Sequence, residues 1–189
     1  MARLPFVDKE RAAPEVRELF QKMSDRGVKI VNVYRVMANS PAAFPPFMRF
    51  GNAILQRVAL DPKLRELTVL RVATLTGCQY EWQQHEEVAL EFGVTPAQVA
   101  GIANWEESAA FDQRERAVLR YVDAVTRDVA VDDETFAGVR QLCNDAELVE
   151  LTLTIGFYGM LARFLVPMQV DLEEQVASSA KELLGGRRG

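Results

Sequence analysis

The chain has 189 residues, 49% of them apolar and 26% charged, a balance that suits one globular domain with a sizeable core. A net charge of −5 and a pI near 5.1, with no basic stripe, exclude nucleic acid and anionic membrane as partners. Only two cysteines and a start without an apolar leader favour a reducing cytosol, free thiols and a cytoplasmic location.

After an irregular start, 14–23 reads as a helix with Pro14 at its first position and Val16, Leu19, Phe20 and Met23 at helical spacing, ended by Gly27. The β-branched run from Val28 reads as a loop followed by a short helix to about Ala38. Pro41 to Phe44 should turn, and Pro46 to Val58 should form a helix with Phe47, Phe50, Ile54 and Leu55 buried. Asp61-Pro62 supplies an N-cap and an N1 proline for a helix running to Thr76 that carries Glu66.

Thr76 and Gln79 have the spacing of a capping box, which predicts a central helix from Gly77 to Phe92 with Cys78 in its first turn and Gly93 beyond its end. Thr95 to Gln98 is another such box, opening a short helix to about Ala103, and 104–110 is a loop. Asp112 to Glu115 caps a strongly periodic helix through Val125. Asp132 and Asp133 open one to Cys143, and Asn144 to Glu147 opens the last long helix, to about Val166. Residues 151–168 are apolar enough to raise the question of a membrane span, but Arg163 and Pro167 suit a buried helix better. Beyond Pro167 the chain reads as a connection, then a weak helix at 178–184 and a disordered end. No clean period-two alternation appears, so the class is all-α with about seven to nine helices. A faint echo between 65–70 and 146–151 hints at two related helical lobes.

The chemistry gathers in 76–85, which holds a thiol, a carboxyl and the chain's one imidazole. Cys78 and Glu81 are three residues apart and Glu81 and His85 four, so on a 3.6-residue period they share a face. A helix N-terminus favours an anion, which would lower the pKa of Cys78, whereas the carboxylate of Glu81 would oppose a thiolate. A Glu and His at this spacing also make an ordinary surface pair, and a Cys in an apolar helix is commonly an inert core residue. Spacing leaves both readings open.

Arg65-Glu66-Leu67, Ala73, Gly77, Cys78, Tyr80-Glu81-Trp82, His85, Ala89 and Gly93-Val94-Thr95 together resemble the carboxymuconolactone decarboxylase and alkylhydroperoxidase D-like superfamily. The likeness continues through Phe111, Glu115, Ala117 and Gly156-Phe157-Tyr158 to Arg163-Phe164, making 28–172 the family domain, 1–27 an N-terminal helical extension and 173–189 a tail. The resemblance implies a helical fold assembling as dimers, trimers or hexamers, no cofactor, and a site between the helices carrying Glu66 and Cys78; one His and no Cys-x-x-Cys argue against a metal unless subunits share ligands.

In the peroxidase branch a glutamate, a Cys-x-x-Cys pair and a histidine form a proton relay, which maps onto Glu66, Cys78 and His85. Glu81 stands where the second cysteine would be, so no resolving thiol is present there. Cys143 could serve only if the fold brought it within about 6 Å, Cα to Cα, of Cys78. The decarboxylase branch implies instead that His85 and Glu81 act as acid and base on a small cyclic carboxylic acid or lactone, by decarboxylation or isomerisation. Tyr80, Trp82 and Tyr158 are then candidate substrate contacts, and Arg71 and Arg163 candidate holders of substrate carboxylates. Three functions remain in play: a cofactor-free proton-transfer enzyme, a thiol peroxidase using Cys78 with an external thiol, and a non-catalytic ligand-binding protein on the same scaffold.

Overall fold

The computed structural model describes residues 1–174, which form nine α-helices and no strand. In chain order they are α1 (Pro14–Asp25), α2 (Asn32–Met37), α3 (Phe44–Gln56), α4 (Pro62–Thr76), α5 (Gln79–Glu91), α6 (Pro96–Gly101), α7 (Gln113–Asp128), α8 (Asp133–Arg140) and α9 (Asp145–Met168).

The centre of the fold is α4. Every residue from Leu64 to Ala73 is buried, so this helix is enclosed on all sides by α5, α7 and α9. That enclosure places Arg65, Glu66, Thr68 and Arg71 inside the protein along with the leucines. Local chemistry sets its ends. Asp61 accepts from the Leu64 N–H at the start, and Gly77, at φ 64°, takes the left-handed turn that closes it.

The expected capping boxes at Thr95/Gln98, Asp112/Glu115 and Asn144/Glu147 all form, each with both reciprocal hydrogen bonds. The one at Thr76 does not. The Thr76 hydroxyl instead donates back to the Val72 carbonyl, and the residue closes α4 rather than opening α5. Consequently α5 begins at Gln79, with Cys78 as its N-cap residue and outside its first turn.

A second difference concerns α3, which starts two residues earlier than expected. Its buried face is Phe44, Met48, Gly51 and Ile54, while Phe47 is only half-buried and Phe50 is 42% exposed. Gly51 explains the rotation: a Cβ there would stand 2.9 Å from the Phe157 ring, so this glycine lets α3 and α9 approach closely.

The long α9 is apolar enough by length and composition to cross a membrane, yet half of its most apolar window is buried within the protein. Leu151, Ile155, Tyr158, Ala162 and Leu165 face the core, and Pro167 is accommodated in the final turn. Both α4 and α9, which carry the two copies of the sequence echo, contribute to one apolar cluster. A smaller cluster joins α1 to α3 through Val16, Phe20, Met23, Phe44 and Met48. After α9 the chain doubles back, and Glu173 accepts from the Asn32 N–H and the Tyr80 hydroxyl. The expected helix at 178–184 and the expected disordered end lie outside the described residues.

Candidate active site

Enclosure of α4 puts Glu66 fully out of solvent, which costs several kcal/mol unless the carboxylate is paired. Two partners pair it. Arg65, only 2% exposed, sends Nε and Nη2 to Glu66 Oε1, both at 2.9 Å. On the other oxygen, His85 Nδ1 lies 2.8 Å from Oε2. Burial pushes the Glu66 carboxyl up, but the His85 and Arg65 contacts outweigh it and hold the group below the usual carboxylate range. Arg65 is itself fixed by the Leu55 carbonyl and by the Phe92 ring beneath its guanidinium.

The second ring nitrogen of His85 faces Tyr158 on α9, with Nε2 3.2 Å from the phenolic oxygen. Burial and then the Glu66 charge keep the Tyr158 phenol protonated far into the alkaline range. An Nδ1–H tautomer fits both contacts, donating to Glu66 and leaving Nε2 to accept from Tyr158. Arg65, Glu66, His85 and Tyr158 thus form a continuous buried relay drawn from α4, α5 and α9.

The relay ends at a cavity of about 60 Å³. Glu81, Gln84, His85 and Tyr158 supply its polar side, and Val33, Phe47, Leu55, Phe157 and Leu161 its apolar side. Glu81 is 2% exposed and neither of its oxygens has a hydrogen-bond partner. Burial accordingly pushes its carboxyl up to about 8, which keeps it neutral at pH 7. The neighbouring Cys78 thiol pulls the other way and only slightly offsets the burial, since it makes no hydrogen bond of ordinary geometry to either oxygen.

A raised carboxyl pKa is a stability cost. The unfolded Glu81 releases its proton near 4.5 and the folded one near 8, so the folded state holds the extra proton between these values and loses stability as pH rises through them. At pH 7 the cost approaches about 3 kcal/mol. Glu81→Gln, which keeps the shape without the charge, is expected to raise stability by roughly 1–3 kcal/mol at pH 7 and by little at pH 4.5. Denaturant titrations at both pH values check this; an equal effect at both would show that the Glu81 carboxyl ionises normally in the folded protein.

Cys78 is 1% exposed, and burial followed by the Glu81 charge pushes its thiol up to about 12. Backbone N–H groups of Tyr80 and Glu81 favour the thiolate, as expected of a helix start, but they are outweighed. Cys78 does not join the His85 cavity. It borders an open groove of about 630 Å³ with Trp82, Gly77, Leu90 and Val99, while its buried thiol neighbours the Glu81 carboxyl. Cys143 is likewise a buried free thiol and forms no disulfide with it.

Of the other expected contacts, Tyr80 lines the cavity and is anchored by Glu173 and the Val33 N–H. Trp82 lies in the groove. Arg71 and Arg163 reach neither the cavity nor the relay. Arg71 is committed to Asp123, at 2.6 Å from both Nε and Nη2, and to the carbonyls of Ile102 and Ala103. Arg163 is exposed and folds back on the Gly159 carbonyl. Sequence reasoning missed Gln84 and Arg65 as members of this site. Gln84 sits one residue before His85 and one helical turn after Glu81, a spacing that could have flagged it. Arg65 carries no such signal, because adjacent helix residues point apart and its bond to Glu66 depends on α4 being buried all round.

Residues 41–124, from just before α3 into α7, match the model of the carboxymuconolactone decarboxylase family, and this stretch includes Glu66, Cys78, Glu81 and His85. Over this stretch the chain is similar to the carboxymuconolactone decarboxylase family. Among relatives, it is 28% identical over 119 residues to the uncharacterized protein YnjA of Escherichia coli, covering 62% of this chain and 65% of YnjA. The match thus spans less than two thirds of that relative. Among solved structures, a protein of unknown function from Agrobacterium tumefaciens superposes with a TM-score of 0.69 at 26% identity, covering 74% of this chain and 96% of that one. A peroxidase-related protein with an alkylhydroperoxidase AhpD core, from Ralstonia eutropha, gives a TM-score of 0.80 at 19% identity over 92% of this chain and 93% of its own, a likeness of fold. The chain carries Cys78-x-x-Glu81 within the matched stretch, and its relay extends past that stretch to Tyr158.

Proposed function

We propose that this protein is a cofactor-free proton-transfer enzyme acting on a small, uncharged cyclic carbonyl compound such as a lactone, by isomerisation. The observation that carries this reading is the buried Glu66–His85–Tyr158 relay ending at a cavity whose remaining polar groups are neutral. His85 Nε2 would take a proton from the carbon beside the substrate carbonyl, with the ionised Glu66 stabilising the imidazolium that results. The electron pair moves onto the carbonyl oxygen. The neutral Glu81 carboxyl and the Tyr158 phenol would then donate hydrogen bonds to the enolate, in a site shielded from water. Returning the proton to a different carbon of the conjugated system completes an isomerisation with no net change in atoms or electrons.

Isomerisation is favoured over decarboxylation, and a lactone over a carboxylic acid, because among the described residues no Lys or Arg lines the cavity to hold a substrate carboxylate. The thiol peroxidase reading draws less support. A thiol pushed up to about 12 supplies almost no thiolate at neutral pH, and attack on a peroxide needs the thiolate. The two free cysteines suit the reducing cytosol in which we place the protein.

Incubation in D₂O with a panel of small lactones and enolisable cyclic ketones, followed by NMR, tests the proposal. Deuterium should enter the carbon beside the carbonyl faster than in buffer. No enhancement with any member would remove the proton-transfer reading and leave the scaffold as a binding protein. Cys78→Ala should keep exchange within about threefold of wild type, since Cys78 does not line the cavity, and wild type should form sulfenic acid with peroxide only sluggishly at pH 7. Rapid oxidation of Cys78 at that pH, with turnover lost in the variant, would instead establish the thiol route.

A further inference from the structure

Four buried polar atoms border the cavity without partners: both carboxyl oxygens of Glu81 and both the nitrogen and oxygen of the Gln84 carboxamide. Native proteins rarely leave such atoms unsatisfied, each at a cost of about 1–3 kcal/mol, and a cluster of four at one cavity points to a missing occupant. The two side chains are three residues apart on α5, hence side by side on one face, and both are less than 5% exposed. A carboxyl beside a carboxamide presents donors and acceptors in alternation.

We infer that the cavity takes a small neutral cyclic imide or amide, its N–H and C=O edge held by Glu81 and Gln84, which rests on the proton-transfer reading and narrows its carbonyl substrate. In a ring the amide is held cis, so donor and acceptor lie along one edge, whereas an open-chain secondary amide is trans and presents them on opposite sides. Glu81 donates its O–H to one ring carbonyl. The ring N–H donates to Gln84 Oε1, and Gln84 Nε2–H donates to the second carbonyl of an imide. All partners stay uncharged, which suits a cavity lined by no Lys or Arg among the described residues. Volume sets the size. The cavity, about 60 Å³, has room for a few water-sized groups, which suits a small ring with its polar edge at Glu81 and Gln84 and its apolar side against Phe47 and Phe157.

The test is isothermal titration of the full chain at pH 6.5 with succinimide, 2-pyrrolidinone, N-methylsuccinimide, γ-butyrolactone and succinate. Succinimide should bind at least tenfold more tightly than N-methylsuccinimide, 2-pyrrolidinone should exceed γ-butyrolactone, and succinate should not bind. Gln84→Leu should remove the preference for N–H, whereas Glu81→Gln, which retains a neutral donor and acceptor, should keep it. If Gln84→Leu does not fold, the wild-type comparison of succinimide with its N-methyl form carries the test. Equal affinity for that pair, tighter binding of succinate, or no binding at millimolar concentration of any imide or amide overturns the inference. Binding is read without turnover. Deuterium exchange on lactones without an imide preference therefore overturns only this inference, and imide selectivity without any exchange overturns only the proton-transfer reading.

Discussion

His85→Gln should slow deuterium exchange by about 10²–10⁴-fold while leaving the fold intact, the range over which a positioned acid/base group contributes to rate. Glutamine keeps a donor able to reach Glu66 Oε2, so the buried carboxylate is not abandoned, but it has no lone-pair nitrogen of useful basicity to offer the cavity. Only the proton carrier is removed. The comparison with Tyr158, at 3.2 Å from Nε2, sharpens the result, because a phenol held protonated by burial can donate a hydrogen bond but cannot replace the base. Exchange within fivefold of wild type in His85→Gln, with melting temperature unchanged, would show that the imidazole is structural.

Glu66→Leu is expected to be the most damaging single substitution for stability, by about 3–5 kcal/mol, because it strands the buried Arg65 guanidinium without its counter-charge. The Leu55 carbonyl and the Phe92 ring still contact Arg65, but neither neutralises it. A second change should restore much of the loss: Arg65→Met with Glu66→Leu replaces the ion pair by apolar groups of similar volume, which proteins commonly tolerate. Denaturant midpoints of the two variants decide the matter, and a single-variant loss below about 1 kcal/mol would show that Arg65 reaches water. The wild type carries the matching pH signature. A carboxyl held below its ordinary value gives stability that is fully present above the unfolded pKa near 4.5 and fades as pH falls through the lower folded value. Glu66 and Glu81 therefore act in opposite directions, one weakening the fold in acid and the other as pH rises from 4.5 toward 8.

Glu66 entered the site only through the family resemblance, whereas local signals in the sequence determined the all-α class, the caps at Asp61, Thr95, Asp112 and Asn144, and the shared helix face of Glu81 and His85. Those features follow from contacts within four residues or from helical spacing, and both survive whatever the rest of the chain does. Thr76 shows where such signals become ambiguous. Its spacing to Gln79 fits a capping box, but Gly77 in the left-handed region ends α4 first, which makes Cys78 the N-cap of α5 and leaves Glu81 in its first turn, at the cavity. Tertiary structure alone decided that Arg71 belongs to Asp123, that Arg65 shares Glu66 with His85, and that Tyr158 closes the relay. The reason is physical: a buried charge takes whichever partner packing brings within hydrogen-bond reach, and helices far apart in sequence settle that by how they enclose α4.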